Sequence, residues 1–344
     1  MKHSIISWDC SYRNFFHLID SLNEQDYDKS EFEIIYIEQR DQKTADQYNH
    51  SLGLKALSDK AKEYRDKINI KVFYLNDNSP YHLGKSNNRG ISEATGEIIS
   101  VMDGDTLIPK DFLKKMDIAH KSNSKVLNLH RHMSRYPVGI SKFHYWKEAI
   151  IDIEMCLNAT DTKNNNLGKN CANKGPMISA RKKYWKKIEG YDESSIWCTS
   201  ASTSGMDVNK RLEIATNSQS EALNSFCVHP WHPAGYAEKN RSLIKFENLA
   251  KEFVKQQRRL TQWSSDENKY SLASRNQILA DVMEESKDLI NNVIFEEQKF
   301  SSLPPLIPNV NIKKVQKRVR LNRTLKKIHP RLSQLYMMTQ NYYS

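Results

Sequence analysis

The feature that most constrains this chain is a series of short, apolar, Ile-rich segments that end on acidic residues and alternate with helical patterns. HSIISW (3–8), FEIIYIE (32–38), KINIKVFYL (67–75) and EIISVMD (97–103) each read as a buried strand. Between and after them, residues 12–25 place Phe15, Phe16, Ile19 and Leu22 at helical spacing. Residues 85–94 read as a helix stopped near Gly96, and 110–121 as another. Strands alternating with helices predict an α/β fold with a mostly parallel sheet covered on both sides. Such sheets bind ligands at the carboxyl ends of their strands. Asp9, Glu38, and Asp103 with Asp105 stand at three of those four ends. Loops are polar anyway, so a single acid there carries little weight. Acids at three of four ends suit ribose and metal contacts.

The rest of the chain is less regular. Residues 122–175 are mixed and include the polar surface stretch NATDTKNNNLGKN. PMISARKKYWKKIEG (176–190) reads as a strand running into a helix with a Gly stop, and SSIWCTSASTSGMD (194–207) as a flexible loop. From about Ser242 the pattern turns helical, over Leu243–Trp263 and Leu272–Phe300, before the linker SSLPPLIP. Three parts are expected: an α/β domain over 1–242, a helical extension over 243–300 and a basic helical tail over 301–344.

Charge separates the tail from the body. Of the net +11, nine Lys or Arg and no acid fall in 301–344, which leaves the first 300 residues at +2. A nucleic-acid-binding body is not expected. Val315, Val319, Leu325, Ile328 and Leu332 recur at near-helical spacing among the tail's cations. The tail is thus a candidate to lie on an anionic membrane surface, or equally to pack on its own domain. No apolar run approaches the roughly 20 residues of a membrane span, and the N-terminal run is broken at Asp9. The expectation is a cytoplasmic protein, peripheral at most to the inner face of the membrane. Five scattered cysteines without CxxC spacing suggest neither a disulfide framework nor a zinc site.

The chemistry concentrates in ISVMDGDTLIP. Asp103 and Asp105, two residues apart after an apolar strand, can hold a hard divalent ion with positions open for phosphate oxygens. The stretch GKSNNRGISEATGEIISVMDGD resembles the region leading to the DxD motif of family 2 glycosyltransferases. FEIIYIEQRD resembles that family's second strand, and its YIEQ also the β-1,4-galactosyltransferases. KGPMISARKKYWKKIEGYDES is similar to the family's acceptor-side segment, and VHPWHPAGYAEKN to its metal-binding histidine segment. These matches run in the family's order across about 32–240. They imply a GT-A fold, with a C-terminal helical extension outside the resemblance.

The resemblance implies roles residue by residue. Asp9 and Glu38 would contact the nucleotide, with Lys85, Asn88, Arg89 and Asp103 also on the nucleotide-sugar. Asp103, Asp105 and His229 would hold Mn²⁺ (or Mg²⁺), imidazole favouring manganese. His232 could orient the site or be part of a structural turn. Asp207 would be the base that takes the acceptor hydroxyl proton, or a helix N-cap. Met206 replaces the acceptor-binding Glu usual there, and Trp197 would offer a sugar-stacking face or simply pack in the core.

The leading expectation is an inverting transferase. It moves galactose or N-acetylgalactosamine from a UDP-sugar to a glycan or lipid-linked glycan acceptor in cell-surface polysaccharide synthesis. The alternative, motivated by Met206, is a catalytically weak domain acting as a binding or scaffold subunit of a glycan-assembly complex. A nucleotidyltransferase is disfavoured because no Gly-rich loop follows the first strand; Asp9-Cys10-Ser11-Tyr12-Arg13 stands there.

Overall fold

A computed structural model describes residues 2–9, 16–51, 55–77, 82–122, 125–133, 176–194, 197 and 201–229, together with helical positions 276–277, 280–281 and 284. Most of the expected extension and the whole basic tail lie outside the described residues. Among the described residues, no helix is long and apolar enough to cross a membrane.

Seven strands form one sheet: β1 (His3–Asp9), β2 (Phe32–Glu38), β3 (Asn69–Tyr74), β4 (Ile98–Met102), β5 (Val126–Met133), β6 (Met177–Arg181) and β7 (Glu221–His229). Their order is β3-β2-β1-β4-β6-β5-β7. β1 to β4 are mutually parallel, and β5 and β7 pair in parallel. β6 runs antiparallel to both of its neighbours. The mostly parallel, helix-covered sheet expected of a GT-A-type domain is therefore present.

Among the described residues, the helices that accompany it are α1 (His17–Asn23), α2 (Gln42–Ser51), α3 (Leu57–Tyr64), α4 (Leu83–Glu93), α5 (Phe112–Lys121), α6 (Lys182–Lys187) and α7 (Ala201–Thr216). Because side chains alternate across a strand, each central strand feeds two cores. Ile5, Ile34 and Tyr36 face Leu18, Ile19, Phe112 and Met116. Ile6, Ile35 and Ile37 face Leu83, Trp185, Val208 and Leu212. Burial on both faces explains why these strands lack the polar alternation of a half-exposed sheet.

One expected loop is a helix. α7 begins at Ala201, so much of the small, polar 194–207 run is helical. Ser, Thr and Gly are weak helix formers, but the buried Val208 and Leu212 anchor the helix on the sheet, and packing overrides propensity. α2, α3, β5 and β7 were not evident in the sequence either. β5 (VLNLHRHM) opens apolar and then runs through three consecutive basic residues, so neither strict alternation nor an apolar run marks it.

Candidate active site

The carboxyl edge of the sheet collects the acidic positions. In register, Asp9 lies beside Glu38, and Glu38 beside Tyr74. β4 ends at Met102, so Asp103-Gly104-Asp105 turns over the same edge. The turn is tied down by three main-chain contacts. Thr106 Oγ1 donates to the Asp103 carbonyl at 2.7 Å, the Asp103 amide to Pro176 O at 3.1 Å, and the Leu18 amide to Gly104 O at 3.1 Å. Gly104 is required by close approach. A Cβ there would stand 2.5 Å from the Tyr36 hydroxyl and 2.8 Å from Ser7 Oγ.

Within this turn the two carboxylates differ. Asp105 is buried at 5 % exposure, whereas the Asp103 side chain keeps 27 % of its surface and faces a cation. Arg131 Nη1 lies 3.5 Å from Asp103 Oδ2. The sequence reading missed Arg131. The signal was available as an arginine within the HRH run of β5. Two carboxylates on one turn are hard oxygen donors of the kind that Mn²⁺ or Mg²⁺ takes, leaving the remaining positions to diphosphate oxygens and water. Among the described residues no group of three or more His, Cys, Asp or Glu gathers as a metal shell. His229, the expected third ligand, ends β7 with its backbone beside Met133; its imidazole, like His232, lies outside the described residues.

The expected nucleotide contacts are placed as follows. Glu38 is buried, and its Oε1 accepts from the Arg40 amide at 2.9 Å. Lys85 is exposed on α4, 3.6 Å from Asp77. Arg89 pairs with Glu93 at 2.8 Å and lies over the Phe73 ring, 5.1 Å from its centroid. Asn88 faces neighbouring chain rather than open space. Its Nδ2 donates to Tyr191 O at 2.8 Å and to Glu193 Oε1 at 2.7 Å, and its Oδ1 accepts from the Tyr191 amide at 2.7 Å.

Of the residues expected on the acceptor side, Asp207 is 1 % exposed and sits in the interior of α7, so the N-cap expectation does not hold. Its Oδ2 accepts from Arg211 Nε at 3.0 Å, and Arg211 Nη1 donates to Ile188 O at 2.8 Å. Both members of this pair are buried, the arrangement in which a charge is tolerated because its partner is present. Met206 is half-buried beside it. Trp197 is fully buried, and so packs in the core in this conformation rather than offering a stacking face. The Tyr191 phenol, also buried, has its pKa pushed up by burial; the negative charge of Asp103 adds to this and Arg211 opposes it. Tyr191 thus lies within the fields of both the DGD turn and the Asp207–Arg211 pair.

Residues 17–185 match the family model described as glycosyl transferase family 2. Among curated proteins, the poly(ribitol-phosphate) beta-N-acetylglucosaminyltransferase TarS of Staphylococcus aureus is 33% identical over 115 residues. That alignment spans 33% of this chain and only 18% of the relative. A solved structure of S. aureus TarS 1-349 in complex with UDP-GlcNAc overlays with a TM-score of 0.49 at 16% identity, covering 99% of this chain and 93% of that one. A mannosyltransferase from Pyrobaculum calidifontis, solved with GDP-Man and Mn²⁺, overlays with a TM-score of 0.47 at 10% identity, covering 99% and 84%.

Proposed function

Starting from a family 2 glycosyltransferase domain over residues 17–185, we propose that this protein transfers a sugar from a UDP-linked donor to a glycan of the cell surface. The observation that carries the proposal is the Asp103-Gly104-Asp105 turn at the carboxyl edge of the sheet, inside the matched region. Asp103 and Asp105 would hold Mn²⁺ or Mg²⁺, which supplies charge neutralisation for the departing diphosphate. Arg131, beside Asp103, places a second positive charge at the same spot. Asp9 and Glu38 line the neighbouring strand ends, where the nucleoside would lie. The sugar is proposed to be an N-acetylhexosamine. That class includes the N-acetylgalactosamine suggested by YIEQ and the N-acetylglucosamine in the name of the curated relative.

The test is calorimetry with UDP-GlcNAc, UDP-GalNAc and UDP-Gal, with and without Mn²⁺, on wild type and Asp105→Ala. Metal-dependent binding of one donor, lost in the variant, supports the proposal. Absence of binding to every UDP-sugar with metal present would exclude a UDP donor. The basic tail is proposed to hold the enzyme on anionic lipid near a lipid-linked acceptor. Co-sedimentation with phosphatidylglycerol vesicles that persists after removal of 301–344 would rule this out.

A second reading has its own observation. Asp207, the proposed base, is buried and paired with Arg211, and Met206 stands where an acceptor-binding carboxylate is expected. A base must come within hydrogen-bond reach of its proton, so α7 would have to shift for Asp207 to act. If it does not, the domain binds donor without fast transfer and serves a glycan-assembly complex. Mn²⁺-dependent turnover of the bound UDP-sugar excludes that reading.

A further inference from the structure

The turn that follows α6 is held by α4. Gly190 adopts φ +72°, a left-handed conformation suited to glycine, and a Cβ there would collide with Asn88 Oδ1. Asn88 then takes the Tyr191 amide and carbonyl as a two-point clamp and reaches Glu193 with its remaining N–H. Six residues earlier, at the N-cap of α4, buried His82 meets the carbonyls of Glu193 and Ser194 at 3.1 and 3.3 Å. A Cβ at Gly84 would stand 2.8 Å from Asp192 O. Residues 82–88 are therefore fitted to 190–194 at successive points. The clamped residue, Tyr191, stacks on Trp185 with centroids 5.9 Å apart and planes 17° apart. Its buried ring is reached by the charges of Asp103 and Arg211.

We infer that Asn88 is a positioning residue: by clamping Tyr191 it holds the acceptor-side turn in register with the DGD turn and the Asp207–Arg211 pair, and does not itself bind donor. The inference rests on the glycosyltransferase reading above. An amide with both ends engaged by the Tyr191 backbone has little left for a nucleotide. What it supplies is a fixed distance between α4, which packs on β1 and β2, and the segment leading to α7. Misplacing a reacting partner by an ångström costs catalysis far more than ground-state affinity.

The experiment compares wild type, Asn88→Ala and Glu193→Ala. It reads UDP affinity with Mn²⁺ by calorimetry, UDP-GlcNAc and UDP-GalNAc turnover, and the Tyr191 ring by tyrosine-selective ¹³C NMR across pH. Glu193 is exposed, so its variant keeps the fold even where Asn88→Ala does not. Expected are UDP affinity within about twofold of wild type in both and turnover lower by ~10-fold or more in Asn88→Ala. A smaller loss is expected in Glu193→Ala. The Tyr191 ring should titrate at lower pH once the clamp is cut. A fall in UDP affinity matching the fall in turnover would make Asn88 a donor ligand and overturn the inference. So would unchanged turnover with a released Tyr191 ring. Wild-type protein that binds UDP but turns over neither sugar would instead sink the enzyme reading, and the positioning role with it.

Discussion

At Gly104 a single hydrogen separates a working turn from a collision. The Tyr36 hydroxyl occupies the space a methyl would need. Gly104→Ala should destabilise the fold by about 1–3 kcal/mol and weaken Mn²⁺-dependent UDP binding. Adding Tyr36→Phe should recover part of both, as read by thermal unfolding and calorimetry. Independent, additive losses would show that the two groups do not meet. Asp207 offers a different test. Asp207→Asn leaves Arg211 buried without its charge partner, at a cost of about 3 kcal/mol. The double variant Asp207→Asn/Arg211→Met should regain much of that stability. Turnover that returns with it would make the pair structural; turnover that stays lost keeps Asp207 as the base. At this scale the sequence was a partial guide. Asp103 and Asp105 were legible because their strand and turn are local. The clamp of Asn88 on Tyr191 was not, because it joins residues far apart in the chain. Asp207 was legible as a carboxylate but not as a buried one, since burial depends on where α7 lands.

Among the elements, β2 and β4 could be read because burial on both faces leaves a largely apolar signature, and half-buried β3 because Ile, Val, Phe and Tyr recur along it. α7 could not, because its first turns are Ser, Thr and Gly and only packing makes them helical. The amino-terminal edge of the sheet explains a run of cations that sequence alone leaves ambiguous. Lys182 donates to Ala94 O at the end of α4, and Arg181 to His120 O near the end of α5. Lys125 and Lys187 donate to Thr216 O and Ala215 O at the end of α7. Helix carboxyl ends carry unsatisfied carbonyls and partial negative charge, so these side chains serve the fold. Lys187→Met should lower stability by about 0.3–1 kcal/mol, and the loss should shrink in 1 M salt. A loss independent of salt would point to packing by the lysine stem instead.

For the molecule as a whole, buried titratable groups set an acid limit. His3 and His82 are held below the usual histidine pKa of 6.5 by burial, which outweighs the bonds from Asp117 and from the Ser194 and Glu193 carbonyls. Both stay neutral in the fold and charge more readily when unfolded, so stability falls as pH drops below about 6.5. Glu33 and Asp117 feel burial pushing their pKa values up. Lys71, Ser4 and Thr95 for the one, and Lys2, His3 and Tyr27 for the other, outweigh it and leave both depressed. Their contribution is present above the ordinary carboxylate range and is lost as pH falls through their lowered values. Thermal midpoints should therefore be steady from pH 8 to 7 and decline in two stages below, and His82→Gln should flatten the first. A first stage of unchanged slope in that variant would assign it elsewhere. The sheet order itself has one more consequence, for inheritance. Because β6 runs backwards, β5 ends and β6 begins on the same edge, with Pro176 against Asp103. The chain between them therefore leaves and rejoins the sheet on the edge that carries the DGD turn. Where both ends of a connection are fixed on one edge, the entropy of closing it grows only slowly with its length. Descendants of this fold are free to rewrite that stretch, and so to exchange partners, while the strands beneath keep their register.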